Sequence, residues 1–134
     1  MYLAAQSRQS LYQQLGGDDG IRALVKEFYD IAEQDPEARE LHLLHLRGAG
    51  IAQSREEQFN YLCGFFGGPQ YYVMKHGHSR LAQIHEHVPI GPEMRDLWLR
   101  CMARAIGKLG IGDDLACMMM RNFTTAAEAA RNMD

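Results

Sequence analysis

Six histidines, His42, His45, His76, His78, His85 and His87, carry most of the chain's capacity for metal chemistry, and all lie in its middle. A zinc site needs several His, Cys or carboxylate ligands converging on one point. His76-Gly-His78 and His85-Glu-His87 have i, i+2 spacing, which on a helix points the two rings to different faces. No H-E-x-x-H pattern is present. Iron in a macrocycle asks for less: one neutral imidazole and an apolar slot that buries the ring system. The plain alternative is that these histidines are solvated loop residues.

Trp98 and Tyr29 are the next residues with chemistry to offer. Each reads as a core aromatic on the inward stripe of a helix, but a buried indole N–H or phenol O–H needs a partner. Two such donors on separate inward faces suit a pocket that hydrogen-bonds a polar ligand. The eight methionines, Met118-Met-Met120 among them, read as core filling. Ser10, Ser79 and the cysteines form no nucleophilic triad, and no P-loop or G-x-G-x-x-G is present.

The remaining composition narrows the class. At 134 residues and 46% hydrophobic, the chain can build one ordinary core. A net charge of −3 gives no footprint for nucleic acid. No apolar run approaches the roughly 18 residues of a membrane span. The opening residues Met1 to Gln6 lack the pattern of a secretory signal. Cys63, Cys101 and Cys117 match no zinc or disulfide framework and read as small buried residues in a reducing compartment. The cytoplasm is therefore the expected location.

The elements that must position these residues are helical throughout. Ser10 to Leu15 forms a short helix stopped by Gly16-Gly17. Asp18 or Asp19 caps the next helix, whose apolar face is Ile21, Leu24, Val25, Phe28 and Tyr29. Pro36 suits the first turn of another helix. Leu41-His-Leu-Leu-His-Leu46 leads into a loop at Arg47-Gly-Ala-Gly50. Ser54-Arg-Glu-Glu57 reads as a capping box opening a helix with Gln58, Tyr61, Leu62 and Phe65 on one stripe, stopped by Gly67-Gly68-Pro69. Residues 70–80 show no clear period. A short helix follows around Arg80 to His87. Gly91-Pro92 starts a long helix with Leu97, Trp98, Cys101, Met102, Ala105 and Leu109 inward. Asp113 caps the last helix, which runs to about Met133. The chain divides into an extension, 1–9, and one domain, 10–134. Its irregular middle suggests a cofactor completing the core, because a compact helical domain seldom keeps a long structureless loop without a use for it.

The order of features resembles the truncated haemoglobins, group II most closely. The matching pieces are Leu11-Tyr-Gln-Gln-Leu-Gly-Gly17, Phe28-Tyr29, Leu41-His42, Phe66-Gly-Gly-Pro69 and Tyr72. They continue with Gly77-His-Ser-Arg-Leu81, His85 and Asp96-Leu-Trp-Leu-Arg-Cys-Met102. The resemblance spans residues 10–131 and implies an all-α, two-over-two helical sandwich around haem b. It places His85 as the proximal iron ligand. Tyr29, Trp98, Gln58 and His42 become the distal groups that stabilise a bound ligand, and Ser54, Leu62, Phe66, Tyr72 and Leu81 line the cofactor. The sequence departs from the family in three places. The segment after His42 is longer, which leaves His45 as an alternative to it. Glu86-His-Val-Pro89 follows His85, which leaves His87 as a rival ligand. Glu57 stands where the family often has a basic residue, so no propionate contact is carried over to it.

The resemblance implies binding of O2, NO, CO or peroxide. Redox turnover, as an NO dioxygenase or a peroxidase-like enzyme fed by a reductase, is expected over transport, because several donors hold O2 too tightly for delivery. The protein is expected to be a monomer or weak homodimer. The competing readings are a gas sensor or electron-transfer haem module, a cofactor-free helical interaction protein, and a His-rich metal-binding domain.

Overall fold

The computed structural model describes residues 9–47, 51–86 and 88–134, and at positions 44–47 and 51 the backbone alone. The expected extension up to residue 8, the tip of the Arg47 to Gly50 loop, the His45 side chain and the rival ligand His87 therefore lie outside the described residues. Eight α-helices are described: α1 (Leu11–Gln14), α2 (Gly17–Gln34), α3 (Arg39–Arg47), α4 (Ile51–Phe65), α5 (Tyr71–His76), α6 (Leu81–Ile84), α7 (Pro92–Lys108) and α8 (Asp113–Ala130). A 3-10 turn, Pro36–Ala38, precedes α3, and Asp35 caps it by accepting from the Glu37 amide at 2.9 Å. No strand occurs among the described residues.

α2 packs on α4 and on α7, and α7 packs on α8. Two helix pairs, α2 with α4 and α7 with α8, thus share one core. The expected face of α2 forms its centre: Ile21, Leu24, Val25, Phe28 and Tyr29 are all buried. Leu62 and Cys63 of α4, Met102 and Ala105 of α7, and Met119 and Phe123 of α8 close on it. The shorter helices α5 and α6 pack on α4 and α8 respectively.

Several local expectations are corrected. Ser54 does not cap α4, which begins a turn earlier at Ile51; the serine lies within the helix. Residues 71–76 form α5, which is too short to display a period. Asp113 is the first residue of α8, after Gly112. Leu109 follows the last turn of α7 and is exposed. Cys63 and Cys101 are buried, but Cys117 is exposed, two residues from buried Met119 and so on the far side of α8.

Asp18 is also no cap. It sits in the first turn of α2, and its carboxylate accepts the Tyr12 hydroxyl at 2.7 Å and the Tyr71 hydroxyl at 2.9 Å, tying α1 and α5 to α2. Those two bonds hold the Asp18 carboxyl below its ordinary range. The same bond pushes the Tyr12 phenol up to about 12. Burial and the nearby carboxylate push the Cys63 thiol up to about 12, which keeps it protonated and unreactive. The Tyr12 ring lies flat against Gly68, where a Cβ would stand 2.4 Å from the ring. Gly68 is therefore required for close approach.

Candidate functional site

Each helix except α1 contributes to one cavity of about 410 Å³. That volume is in the ordinary range for small-molecule sites, ~300–1,000 Å³. Helical spacing explains most of its wall. Ser54, Gln58 and Leu62 recur every four residues on α4, Tyr72 and His76 do so on α5, and Met94 and Trp98 on α7. Leu81 begins α6 and His85 follows its last residue, again four apart. Phe123 and Ala127 of α8 complete an apolar side.

His85 is held in one orientation. Its Nδ1 lies 2.8 Å from the Leu81 carbonyl oxygen. A carbonyl has no proton to give, so Nδ1 carries the hydrogen, and in the neutral ring Nε2 then carries the lone pair. A bond from the other ring nitrogen to a backbone carbonyl fixes the tautomer and orientation in which a histidine can ligate a metal.

Apart from the Glu57 carboxylate, which is paired with Lys75 and His76, the polar groups on the wall can donate hydrogen bonds. Tyr29, 2% exposed, ends the buried face of α2 and meets Phe28 edge-on with ring centroids 4.9 Å apart. Burial pushes its phenol well above the ordinary value, against a smaller opposing pull from the Arg55 cation, so it stays protonated. The Arg55 guanidinium lies 5.6 Å from the Tyr29 ring centroid and is held by Asp30 at 2.9 Å and Glu33 at 3.1 Å. Trp98 is wedged between Phe28 and Phe123, each centroid 5.3 Å away. No hydrogen-bond partner of the Trp98 indole N–H, the Gln58 amide or the Ser54 hydroxyl occurs among the described residues. These groups are left available to a ligand.

Of the residues singled out from sequence, the structure brings Tyr29, Ser54, Gln58, Leu62, Tyr72, Leu81, His85 and Trp98 to this cavity. His42 and Phe66 are not on its wall. Leu41 occupies the inward position of α3, and His42 is rotated about 100° from it, with its Nδ1 buried and unbonded. Phe66 lies beyond the end of α4 and packs edge-on against Phe65 and Phe123, which line the cavity in its place.

Among the lining residues to which the sequence assigned no site role are Glu57 and His76. Glu57 accepts from Lys75 Nζ at 2.5 Å and pairs with His76 Nε2 at 2.7 Å. Burial raises its carboxyl, but the two α5 partners outweigh that and hold it below the ordinary range. His76 in turn packs on Tyr72, centroids 4.3 Å apart. The i, i+4 spacing of Tyr72 and His76 was the available signal. Among the described residues, no group of three His, Cys, Asp or Glu side chains converges as a metal site, so the His-rich metal-binding reading has no cluster there to rest on.

One imidazole with a fixed tautomer, an apolar wall and several hydrogen-bonding side chains fit a haem, which needs a single protein ligand. Comparison with known proteins agrees. The profile of the bacterial-like globin family matches residues 10–132. The chain belongs to the bacterial-like globins. Within them this globin is a group II truncated haemoglobin. It is 35% identical to the Group II 2-on-2 hemoglobin from Agrobacterium tumefaciens, with a TM-score of 0.86 over 94% of this chain and 96% of that one. The cold-adapted truncated hemoglobin from Pseudoalteromonas haloplanktis is 30% identical, with a TM-score of 0.88 over 94% and 100% of the two chains. A group 2 truncated hemoglobin of Bacillus subtilis is 27% identical over 82% of this globin and 79% of the relative. The globin family binds haem and, through it, small gas molecules such as O2. The cofactor-free interaction protein is thereby set aside. No helix among the described residues is long and apolar enough to cross a membrane.

Proposed function

We propose that this globin holds haem b through His85 and uses Tyr29, Trp98 and Gln58 to retain a diatomic ligand for redox chemistry with NO or peroxide. The observation that carries the reading is one cavity wall holding both a histidine with Nδ1 committed to Leu81 and a set of hydrogen-bonding side chains. Bound haem supplies an iron that coordinates a diatomic gas and exchanges electrons with it. The chain's own part is to keep Nε2 of His85 deprotonated, to exclude water with Leu62, Phe65 and Phe123, and to direct donors at the ligand.

Each donor to a partly charged oxygen stabilises by about 1–3 kcal/mol. Two or three such bonds slow release by several powers of ten, since about 1.4 kcal/mol is tenfold. That favours turnover over delivery. Catalysis of this kind draws electrons from a reductase, in the cytoplasm, on a monomer or weak homodimer. His42 is left out of the donor set, because Leu41 takes its place on the wall.

The first test is the absorption spectrum of the holoprotein, ferric, dithionite-reduced and with CO. A Soret band and a five-coordinate ferrous form are expected, and His85→Ala should abolish the latter. Retention of that form by the variant transfers the ligand role elsewhere, with His87 first in line. Stopped-flow consumption of NO by the O2 complex, and peroxide turnover with a reducing dye, then decide the chemistry. Rates no faster than those of free haem would leave binding without catalysis.

A further inference from the structure

We propose that Asn132 is a positioning residue that sets the geometry of His85 as an iron ligand. The inference rests on the reading of His85 given above.

α6 cannot hold itself. It is four residues long and has no buried residue. A helix of that length has the full cost of nucleation and little of the gain from propagation. Its own bonds are Ile84 N–H to Arg80 O at 3.0 Å and His85 N–H to Leu81 O at 3.1 Å. His85 stands at its C-cap, with φ −105° and ψ 5°, already out of the regular helix. Pro89 lacks an amide hydrogen, so the segment gains no further bond there. A turn after α6 adds Val88 N–H to His85 O at 2.9 Å, but these backbone bonds all close within residues 80–88 and none of them ties His85 to the rest of the fold.

Asn132, two residues beyond α8, supplies the restraint from 47 positions away. Its Nδ2 donates to the His85 carbonyl at 3.0 Å and to the Val88 carbonyl at 2.8 Å. Its Oδ1 accepts from the Ile90 amide at 2.9 Å. The backbone amides of Asn132 and Met133 both donate to the Ile90 carbonyl, at 2.9 and 3.1 Å. The two carbonyl partners and one N–H partner admit only one orientation of the amide. Both amide hydrogens are used, so the side chain acts as a clamp across residues 85–90.

His85 is then held at both ends. Its ring is tied through Nδ1 to Leu81, and its carbonyl is tied through Asn132 to the end of α8. Without Asn132 the carbonyl keeps only the local bond from the Val88 amide, so the whole turn that carries the ring loses its anchor to the end of α8 and the imidazole samples several tilts. Among the common residues, only asparagine supplies two donors and one acceptor on so short a stem.

The test compares Asn132→Ala and Asn132→Asp in the holoprotein. Aspartate keeps the shape and the acceptor for Ile90 but has no hydrogen for His85 or Val88, so it isolates the two donated bonds from the tether to Ile90. The readouts are the iron–histidine stretching band in the resonance Raman spectrum of the ferrous form, and the rate of haem transfer to excess apomyoglobin. Both variants are expected to broaden or shift the band and to lose haem about tenfold faster, the effect of roughly one lost net hydrogen bond. A wild-type band and rate in both variants overturns the proposal. So does a change in the alanine variant with none in the aspartate variant, which would reduce Asn132 to a tether. His85→Ala is run alongside: if it keeps the iron–histidine band, the ligand assignment falls and this inference with it. If the band vanishes in His85→Ala and stays wild-type in the Asn132 variants, this inference alone falls.

Discussion

Replacing Trp98 by phenylalanine separates the indole N–H from the ring that carries it. The ring is wedged between Phe28 and Phe123, at 5.3 Å to each centroid. Phenylalanine keeps an aromatic ring between those neighbours, so the two contacts, about 0.5–1.5 kcal/mol each, are largely retained. The smaller ring costs roughly 1 kcal/mol of lost burial. The N–H is lost entirely, and with it the proposed bond to a partly charged oxygen ligand of about 1–3 kcal/mol. The expected outcome is a rise in the O2 dissociation rate of about 10- to 100-fold, with only a modest fall in melting temperature. Trp98→Ala removes both contacts as well; for a half-buried ring the cost lies near the lower end of the ~3–5 kcal/mol range. Stopped-flow displacement of O2 by CO gives the rates, and thermal melts of the same samples give the stabilities. An unchanged dissociation rate in Trp98→Phe, with faster release only in Trp98→Ala, would show that the side chain shapes the cavity without donating to the ligand.

Two further outcomes concern the frame and the cavity rim. Gly68→Ala forces the Tyr12 ring away, because the new Cβ meets it at 2.4 Å, and breaks the Tyr12–Asp18 bond; a loss of about 1–3 kcal/mol in denaturant unfolding is expected. Gly107→Ala, where the added carbon meets nothing within 4 Å, is the control and should match or slightly exceed wild type. Equal midpoints for the two variants would contradict the packing at Gly68. The Glu57 carboxyl is held below its ordinary 4.5, so its contribution to stability is complete above that pH and is lost as pH falls through the lower folded value. Glu57→Gln should therefore lower the melting temperature at pH 7, by no more than the ~1 kcal/mol of a partly exposed ion pair, and the gap from wild type should close toward pH 3. A gap of the same size at both pH values would remove Lys75 and His76 as its cause.

The parts of the fold legible in the sequence were those whose signals are local. The α2 face from Ile21 to Tyr29 repeats with the helix period, and burial followed that period. The stop at Gly67-Gly68-Pro69 and the start at Gly91-Pro92 come from backbone chemistry that neighbours do not alter. Local motifs are ambiguous where their residues have a second use. Ser54-Arg-Glu-Glu57 has the residues of a capping box, but the turn before it was already helical, and Ser54 and Glu57 became cavity lining. Asp18 has the form of a cap but accepts from Tyr12 and Tyr71 instead. His42 failed to reach the cavity through a single step of register on α3.

By itself the sequence determined an all-helical chain, the inward faces of its long helices, and a histidine placed between a short helix and the one carrying Trp98. Helix periodicity and chain breaking act within a few residues, so they can be read without knowing what packs where. Only the tertiary structure decided which polar groups meet: Lys75 and His76 on Glu57, Arg55 beside Tyr29, and Asn132 on the carbonyl of His85. Those partners are far apart in the chain, and a hydrogen bond forms only where packing of the apolar faces brings donor and acceptor within about 3 Å. The proposed iron ligand, His85, is picked out by the order of residues, whereas the bond that Asn132 makes to its carbonyl joins positions 47 residues apart and exists only in the folded chain.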